Sequence, residues 1–113
     1  MQCTYEYLYK SGDGYVVRCR QCNYFQVAFN CALLTLDEPS FLQLREQLKE
    51  KIDLHPGNIP PGCKSIALNT PVPGYCLLLS IEEAALLFEH LDGADTEWRS
   101  KALLNLFNHP GED

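Results

Sequence analysis

Twice along this chain an alternating run of apolar residues gives way to apolar residues at helical spacing. That repeated change of period is the strongest limit on what the chain can fold into. In the first instance Phe25, Val27 and Phe29 fall on one side of the run from Tyr24 to Phe29, and Tyr24, Gln26 and Ala28 fall on the other. This is the two-residue period of a half-buried strand. Asn30-Cys31 turns the chain, and Leu33 to Leu36 makes the next strand. Asp37 then supplies an N-cap, and Pro39 sits in the first helical turn, where a missing N–H costs nothing. Phe41, Leu44, Leu48 and Ile52 follow on one stripe while Arg45, Glu46, Lys49 and Glu50 face water, so the spacing predicts a helix to about Lys51.

The second instance begins after His55 to Gly62, where three prolines and two glycines permit neither helix nor ladder. Lys64 to Leu68 and Tyr75 to Leu79 read as strands joined by a Pro-rich turn from Asn69 to Gly74. Ser80 and Glu83 then stand at capping-box spacing ahead of the stripe Ala84, Leu87 and Leu91. Asp92-Gly93-Ala94-Asp95 reads as a helix stop, and Trp98, Ala102, Leu103, Leu106 and Phe107 define a third helix beyond it.

The two halves are alike: Val27-Ala28-Phe29-Asn30 matches the pattern of Ile66-Ala67-Leu68-Asn69, and the helical stripes repeat the same spacing. Neither strand-turn-strand-helix unit covers its apolar strand face alone, so the two are expected side by side. The expectation is an α+β fold: one antiparallel sheet from an internal repeat, helices on one face, an N-terminal hairpin and an extra C-terminal helix. All 113 residues form one domain, its halves 1–52 and 64–108 separated by a linker at 53–63. A chain this long buries roughly two-thirds of the surface it exposes when unfolded, enough for a core without obligatory staples.

Ahead of the first unit, Tyr5 to Tyr9 and Tyr15 to Arg18 flank Ser11-Gly12-Asp13-Gly14, a hairpin signal. With the turn centred on Gly12 and Asp13, antiparallel register sets Cys3 opposite Cys22. Cys3 then joins Cys19 and Cys22, the pair in Arg18-Cys19-Arg20-Gln21-Cys22.

Three chemistries compete for these thiols. A Cys-x-x-Cys turn brings two thiolates to one ion, and tetrahedral zinc accepts four S or N ligands. Cys3, Cys19 and Cys22 would be three of them. Cys63 is the best fourth within the chain, His55 and His109 are weaker, and a partner subunit is the remaining source. A redox dithiol is the second reading, although the strand after Cys22 lacks the helix N-terminus that activates thioredoxin-type thiols. In the third reading the cysteines are small buried hydrophobes, the role expected of Cys31 and Cys76.

The remaining features narrow the function by exclusion. The net charge of −6 argues against phosphate-held nucleic-acid binding, with Lys10, Arg18 and Arg20 forming at most a small basic spot. No apolar run approaches bilayer length, and Met1 to Glu6 has no signal-peptide pattern, so no membrane association and a cytosolic location are expected. In that reducing compartment six cysteines are free, metal-bound or catalytic rather than a disulfide framework. Tyr5, Tyr7 and Tyr9 on one strand face, with Tyr15 and Tyr24 near, cover a sheet or offer a stacking surface. His90 beside Glu89 reads as a solvated neighbour, and no catalytic triad, phosphate-cradling loop or carboxylate pair stands out.

Cys3, Cys19-x-x-Cys22, Phe25-x-Val27-x-Phe29-Asn30 and Leu34-x-Leu36-Asp37 together resemble a family of short uncharacterised bacterial proteins, chiefly from Bacteroidetes. The resemblance implies no activity, only that Cys3, Cys19 and Cys22 act together. The expected function is a small non-enzymatic binding or adaptor module with a structural zinc, working with a protein partner or as a homodimer.

Overall fold

Aromatic and β-branched residues on either side of Gly12-Asp13 pair as β1 (Tyr5–Ser11) and β2 (Gly14–Cys19), and the ladder continues through β3 (Phe25–Phe29) and β4 (Ala32–Leu36). The computed structural model describes residues 3–108. These four strands form one antiparallel sheet in the order β1-β2-β3-β4. Phe25, Val27 and Phe29 are buried on its inner face with Val16, Leu34 and Leu36, while Tyr5, Tyr7, Tyr24 and Leu33 are exposed. The β3–β4 turn uses Asn30 at φ 54°, a left-handed conformation that asparagine tolerates.

Asp37 caps α1 (Glu38–Asp53) by accepting a hydrogen bond from Ser40 N–H at 3.0 Å. Phe41, Leu44 and Leu48 are buried on its inner face. After a loop, β5 (Ile66–Asn69) pairs with β6 (Cys76–Leu79). The element order therefore repeats strand, strand, helix, and the fold is α+β.

The expected single sheet is not what forms. β5 and β6 make their own two-stranded sheet, and α1 packs against β5. Each strand has only four residues, so the hairpin is held by burial of Ile66, Leu68 and Leu79 in the shared core rather than by a ladder to its neighbours.

The predicted capping box is present in both directions. Ser80 N–H donates to Glu83 Oε1 at 3.0 Å, and Glu83 N–H donates to Ser80 Oγ at 3.1 Å. It opens α2 (Ile81–Asn108), which runs 28 residues without interruption. The helix stop expected at Asp92-Gly93-Ala94-Asp95, and with it a separate third helix, is overturned. The apolar stripe Ala84, Leu87, Leu91 continues through buried Ala94 to Trp98, so breaking the helix there would expose both sides of the break. Asp92, half-exposed, and Asp95, largely buried, both pair with the Arg45 guanidinium of α1, and Asp95 also accepts from Arg99 Nε at 3.0 Å.

Gly93 stays in the helix because Tyr9 lies against it. A Cβ there would sit 2.6 Å from Tyr9 Cδ1, closer than non-bonded carbons approach. Gly→Ala inside an exposed helix ordinarily stabilises by about 1 kcal/mol. Here the sign reverses, and Gly93→Ala is expected to destabilise by about 1–2 kcal/mol as Tyr9 is pushed off the helix. Urea denaturation of the two proteins measures this, and a stabilised variant would contradict the contact.

Tyr9 reaches that position through an irregularity in β1. Tyr7 pairs with Val17 but Tyr9 pairs with Val16, so Leu8 is one residue extra. The bulge turns Leu8 and Tyr9 toward the core, and the expected row of Tyr5, Tyr7 and Tyr9 on one face is broken. Tyr7 packs edge-on against Tyr15 at 5.9 Å outside, whereas the Tyr9 ring lies 4.7 Å from that of His90 inside. His90 is fully buried rather than solvated; its Nδ1 meets the Leu86 carbonyl at 2.7 Å and its Nε2 meets Ser11 Oγ at 2.7 Å. It joins helix to hairpin and has no unmet polar atom.

Candidate metal centre

The turn between β2 and β3 is built for sulfur. Cys19 N–H donates to the Tyr24 carbonyl at 2.9 Å, closing the ladder, and Asn23 N–H donates to the Cys19 carbonyl at 2.9 Å, closing a tight loop. Asn23 completes the loop at φ 62°, where asparagine is tolerated and β-branched residues are not. This curl points the Cys22 backbone N–H at Cys19 Sγ, 3.5 Å away. A backbone donor aimed at a sulfur favours the thiolate, the form that binds metals.

β1 closes the site from the other side. Arg20 N–H donates to the Thr4 carbonyl at 3.0 Å, and Thr4 N–H donates to Gln21 Oε1 at 2.7 Å. Cys3 is thereby held over the loop with its Sγ 3.9 Å from Cys22 Sγ. Strict continuation of the pairing at Ser11 and Gly14 would set Cys3 opposite Cys22. The Leu8 bulge shifts the outer pairing to Tyr5 with Cys19, and the loop curls Cys22 back to meet Cys3. The thiols meet as expected, by a different route.

The ligand atoms of Cys3, Cys19 and Cys22 all lie within 4.8 Å of one another. A tetrahedral ion with metal–sulfur bonds of about 2.3 Å needs sulfurs about 3.8 Å apart, so the trio is close to coordination geometry without rearranging the backbone. Cys19 is 1% exposed and forms the floor, while Cys3 and Cys22 are exposed at the rim. The thiols already behave as a unit. The Cys22 N–H, with hydrogen bonds from the Cys22 and Cys3 thiols, lowers the Cys19 thiol to about 7 against burial. Its hydrogen bond to Cys19, above all, raises the Cys3 thiol to about 11. One thiolate is held by hydrogen bonds from its two neighbours, and the three ligand atoms are close enough to hold a metal ion.

Cys63 is not part of this cluster. Its neighbour Gly62 donates to Glu82 Oε1 at 3.2 Å at the start of α2, whereas Glu6, next to Tyr5 and hence to Cys19, pairs with Lys101 near the other end. Those helix positions are about 28 Å apart along the axis. His55 lies with Cys63, its Nε2 at 2.8 Å from Ser65 Oγ, and His109 falls outside the described residues. Among the described residues the cluster has three members.

A charged network that no local sequence pattern marks lies under the same sheet end. Glu6 Oε1 accepts from Arg18 at 3.2 Å, and Glu6 Oε2 lies 3.2 Å from Lys101 Nζ and 3.6 Å from Arg20. Lys10 is not among them; it sits over the Tyr7 ring on the opposite face. Burial alone would raise the Glu6 carboxyl, but Lys101, Arg20 and Arg18 outweigh it and hold it below its ordinary value of 4.5. A carboxyl depressed by folding stabilises the native state above that ordinary value, and the contribution is lost as pH falls through it toward the folded value. Glu6→Gln is therefore expected to lose stability at pH 7 and to show a flatter stability profile below about pH 5. Melting temperatures across that range test it, and parallel profiles would contradict it.

No protein-family model, curated protein or solved structure matches the chain.

Proposed function

We propose that this protein is a non-enzymatic binding or adaptor module whose N-terminal corner is locked by a structural zinc ion on Cys3, Cys19 and Cys22. The observation that carries the reading is the spacing of the three sulfur atoms, all within 4.8 Å. Zinc is favoured over hard cations because thiolates are soft ligands, and over copper because a tetrahedral sulfur site suits zinc. A fourth ligand from water or from a partner molecule completes the shell. The ion would tie the start of β1 to the β2–β3 turn, a corner otherwise joined by the Thr4–Gln21 and Thr4–Arg20 hydrogen bonds. No helix among the described residues is long and apolar enough to cross a membrane.

A thiol-redox reading has one observation in its favour, the Cys19 thiol at about 7. Burial opposes it: a thiol 1% exposed is poorly placed to attack a substrate disulfide.

Elemental analysis of untagged protein purified without chelator separates the readings. About one zinc per chain is expected, absent from Cys19→Ser and retained in Cys63→Ser. Half an equivalent would place the ion between two chains. Metal-free protein whose Cys19 alkylates rapidly near pH 6 would replace the zinc reading with the redox one.

A further inference from the structure

Between the last turns of α2 and the helix-facing end of β1 and β2 lies a cleft of about 610 Å³, within the range of small-molecule sites. Glu6, Arg18 and Arg20 line it from the sheet side, and Lys101 and Asn105 from the helix. Trp98, Ala102 and Leu104 give it an apolar wall. The chain carries a net charge of −6, yet this cleft gathers three cations around one carboxylate. Two positive charges are left over. Glu97, 4.0 Å from Lys101, is half-exposed and does not line the cleft.

The cations differ in how fully they are occupied. Arg18 is committed, donating to Glu6 at 3.2 Å and to Asn23 Oδ1 at 2.6 Å and lying over the Trp98 ring. Arg20 is 63% exposed and, among the described residues, its side chain makes only the 3.6 Å ion pair with Glu6 and no hydrogen bond. Lys101 spends one of its three donors on Glu6. Arg20 therefore offers a nearly free planar fork, the geometry that matches an oxoanion in two places, and Lys101 offers a point charge beside it.

We propose that this cleft binds a small organic oxodianion, a phosphate monoester or dicarboxylate, with its charged group on Arg20 and Lys101 and its organic part against Trp98, Ala102 and Leu104. The cations of the lining outnumber its carboxylate, with Glu97 offsetting Lys101 only in part from outside, so the cleft asks for an anionic group, and the apolar wall asks for more than a bare inorganic ion. The site is separate from the sulfur cluster and does not require the metal reading.

Trp98 is the only tryptophan, so intrinsic fluorescence reports on the cleft directly. The probes are phenyl phosphate and succinate, each titrated at physiological ionic strength, with benzyl alcohol as the uncharged control. At least one dianion is expected to saturate with Kd at or below about 1 mM, and Lys101→Gln to weaken it about tenfold. Saturation by phenyl phosphate alone identifies the phosphate class, and by succinate alone the dicarboxylate class. Lys49→Gln, on exposed α1 surface, is expected to bind as the parent does. No saturable response to either dianion overturns the proposal, as does a Lys101→Gln protein that folds, by its circular dichroism, and binds unchanged.

Discussion

Cys19→Ser is expected to empty the metal centre and to lower the melting temperature of the zinc-loaded protein by more than about 10 °C. An ion present at a thousand times its dissociation constant stabilises the native state by about 4 kcal/mol, and 1 kcal/mol corresponds to about 4–8 °C in a domain of this size. Cys19 is the member to change because it is buried at the floor and receives the Cys22 N–H, whereas Cys3 and Cys22 stand at the rim. Serine keeps the size but does not supply a soft thiolate. Scanning calorimetry of both proteins, with and without zinc, separates ligand loss from packing loss: the difference should vanish when both are metal-free. A parent protein that melts at the same temperature with and without zinc would remove the structural role of the ion.

Phe25→Ala is expected to be the most damaging single core change, about 3–5 kcal/mol, a large part of the 5–15 kcal/mol that holds a typical domain. Phe25 is fully buried at the start of β3, directly after the sulfur loop. Its ring stacks on Phe41 of α1 at 4.4 Å with the planes 8° apart, and it meets the Trp98 ring of α2 edge-on at 5.2 Å. One side chain thus joins the sheet to both helices, and its loss leaves a cavity that none of the three elements can close alone. The urea midpoint should fall sharply with little change in the dependence on denaturant. A loss below about 1 kcal/mol would mean that the three rings do not form the centre of the core.

The two predictions are physically linked. The loop that carries Cys19 and Cys22 ends where Phe25 begins, so the corner proposed to hold the ion is anchored on a fully buried residue that contacts both helices. Metal binding should accordingly protect the backbone amides of β2 and β3 from hydrogen exchange more than those of β5 and β6, which form a separate hairpin.

Local patterns were enough to read most elements from the residues. Alternation in Phe25 to Phe29, the Asp37 cap, the Ser80-to-Glu83 capping box and the Gly12-Asp13 turn are short-range effects, decided by a residue and its neighbours within one turn or one strand pair. The meeting of Cys3, Cys19 and Cys22 was legible for the same reason, because a hairpin brings its two ends together whatever the rest of the chain does. The continuity of α2 was also encoded, in the unbroken spacing of Ala84, Leu87, Leu91, Ala94 and Trp98, but Asp92 and Gly93 argue locally for a stop. Their effect is reversed only by partners distant in sequence: Arg45 neutralises Asp92, and the ring of Tyr9 occupies the space that a side chain at position 93 would need.

What the amino-acid sequence determined by itself is thus the strands, the first helix, the helix caps and the sulfur corner, all products of contacts a few residues apart or across one tight turn. Only the tertiary structure decided that β5 and β6 stand apart from the main sheet, that Leu8 bulges and turns Tyr9 inward, and that Cys63 lies far from the other thiols. It also decided that Glu6 gathers Arg18, Arg20 and Lys101 across 95 residues of chain. Each of these depends on which faces pack together, and packing is a competition among all apolar surfaces at once. A local pattern states which face is apolar; only the assembled core states what covers it.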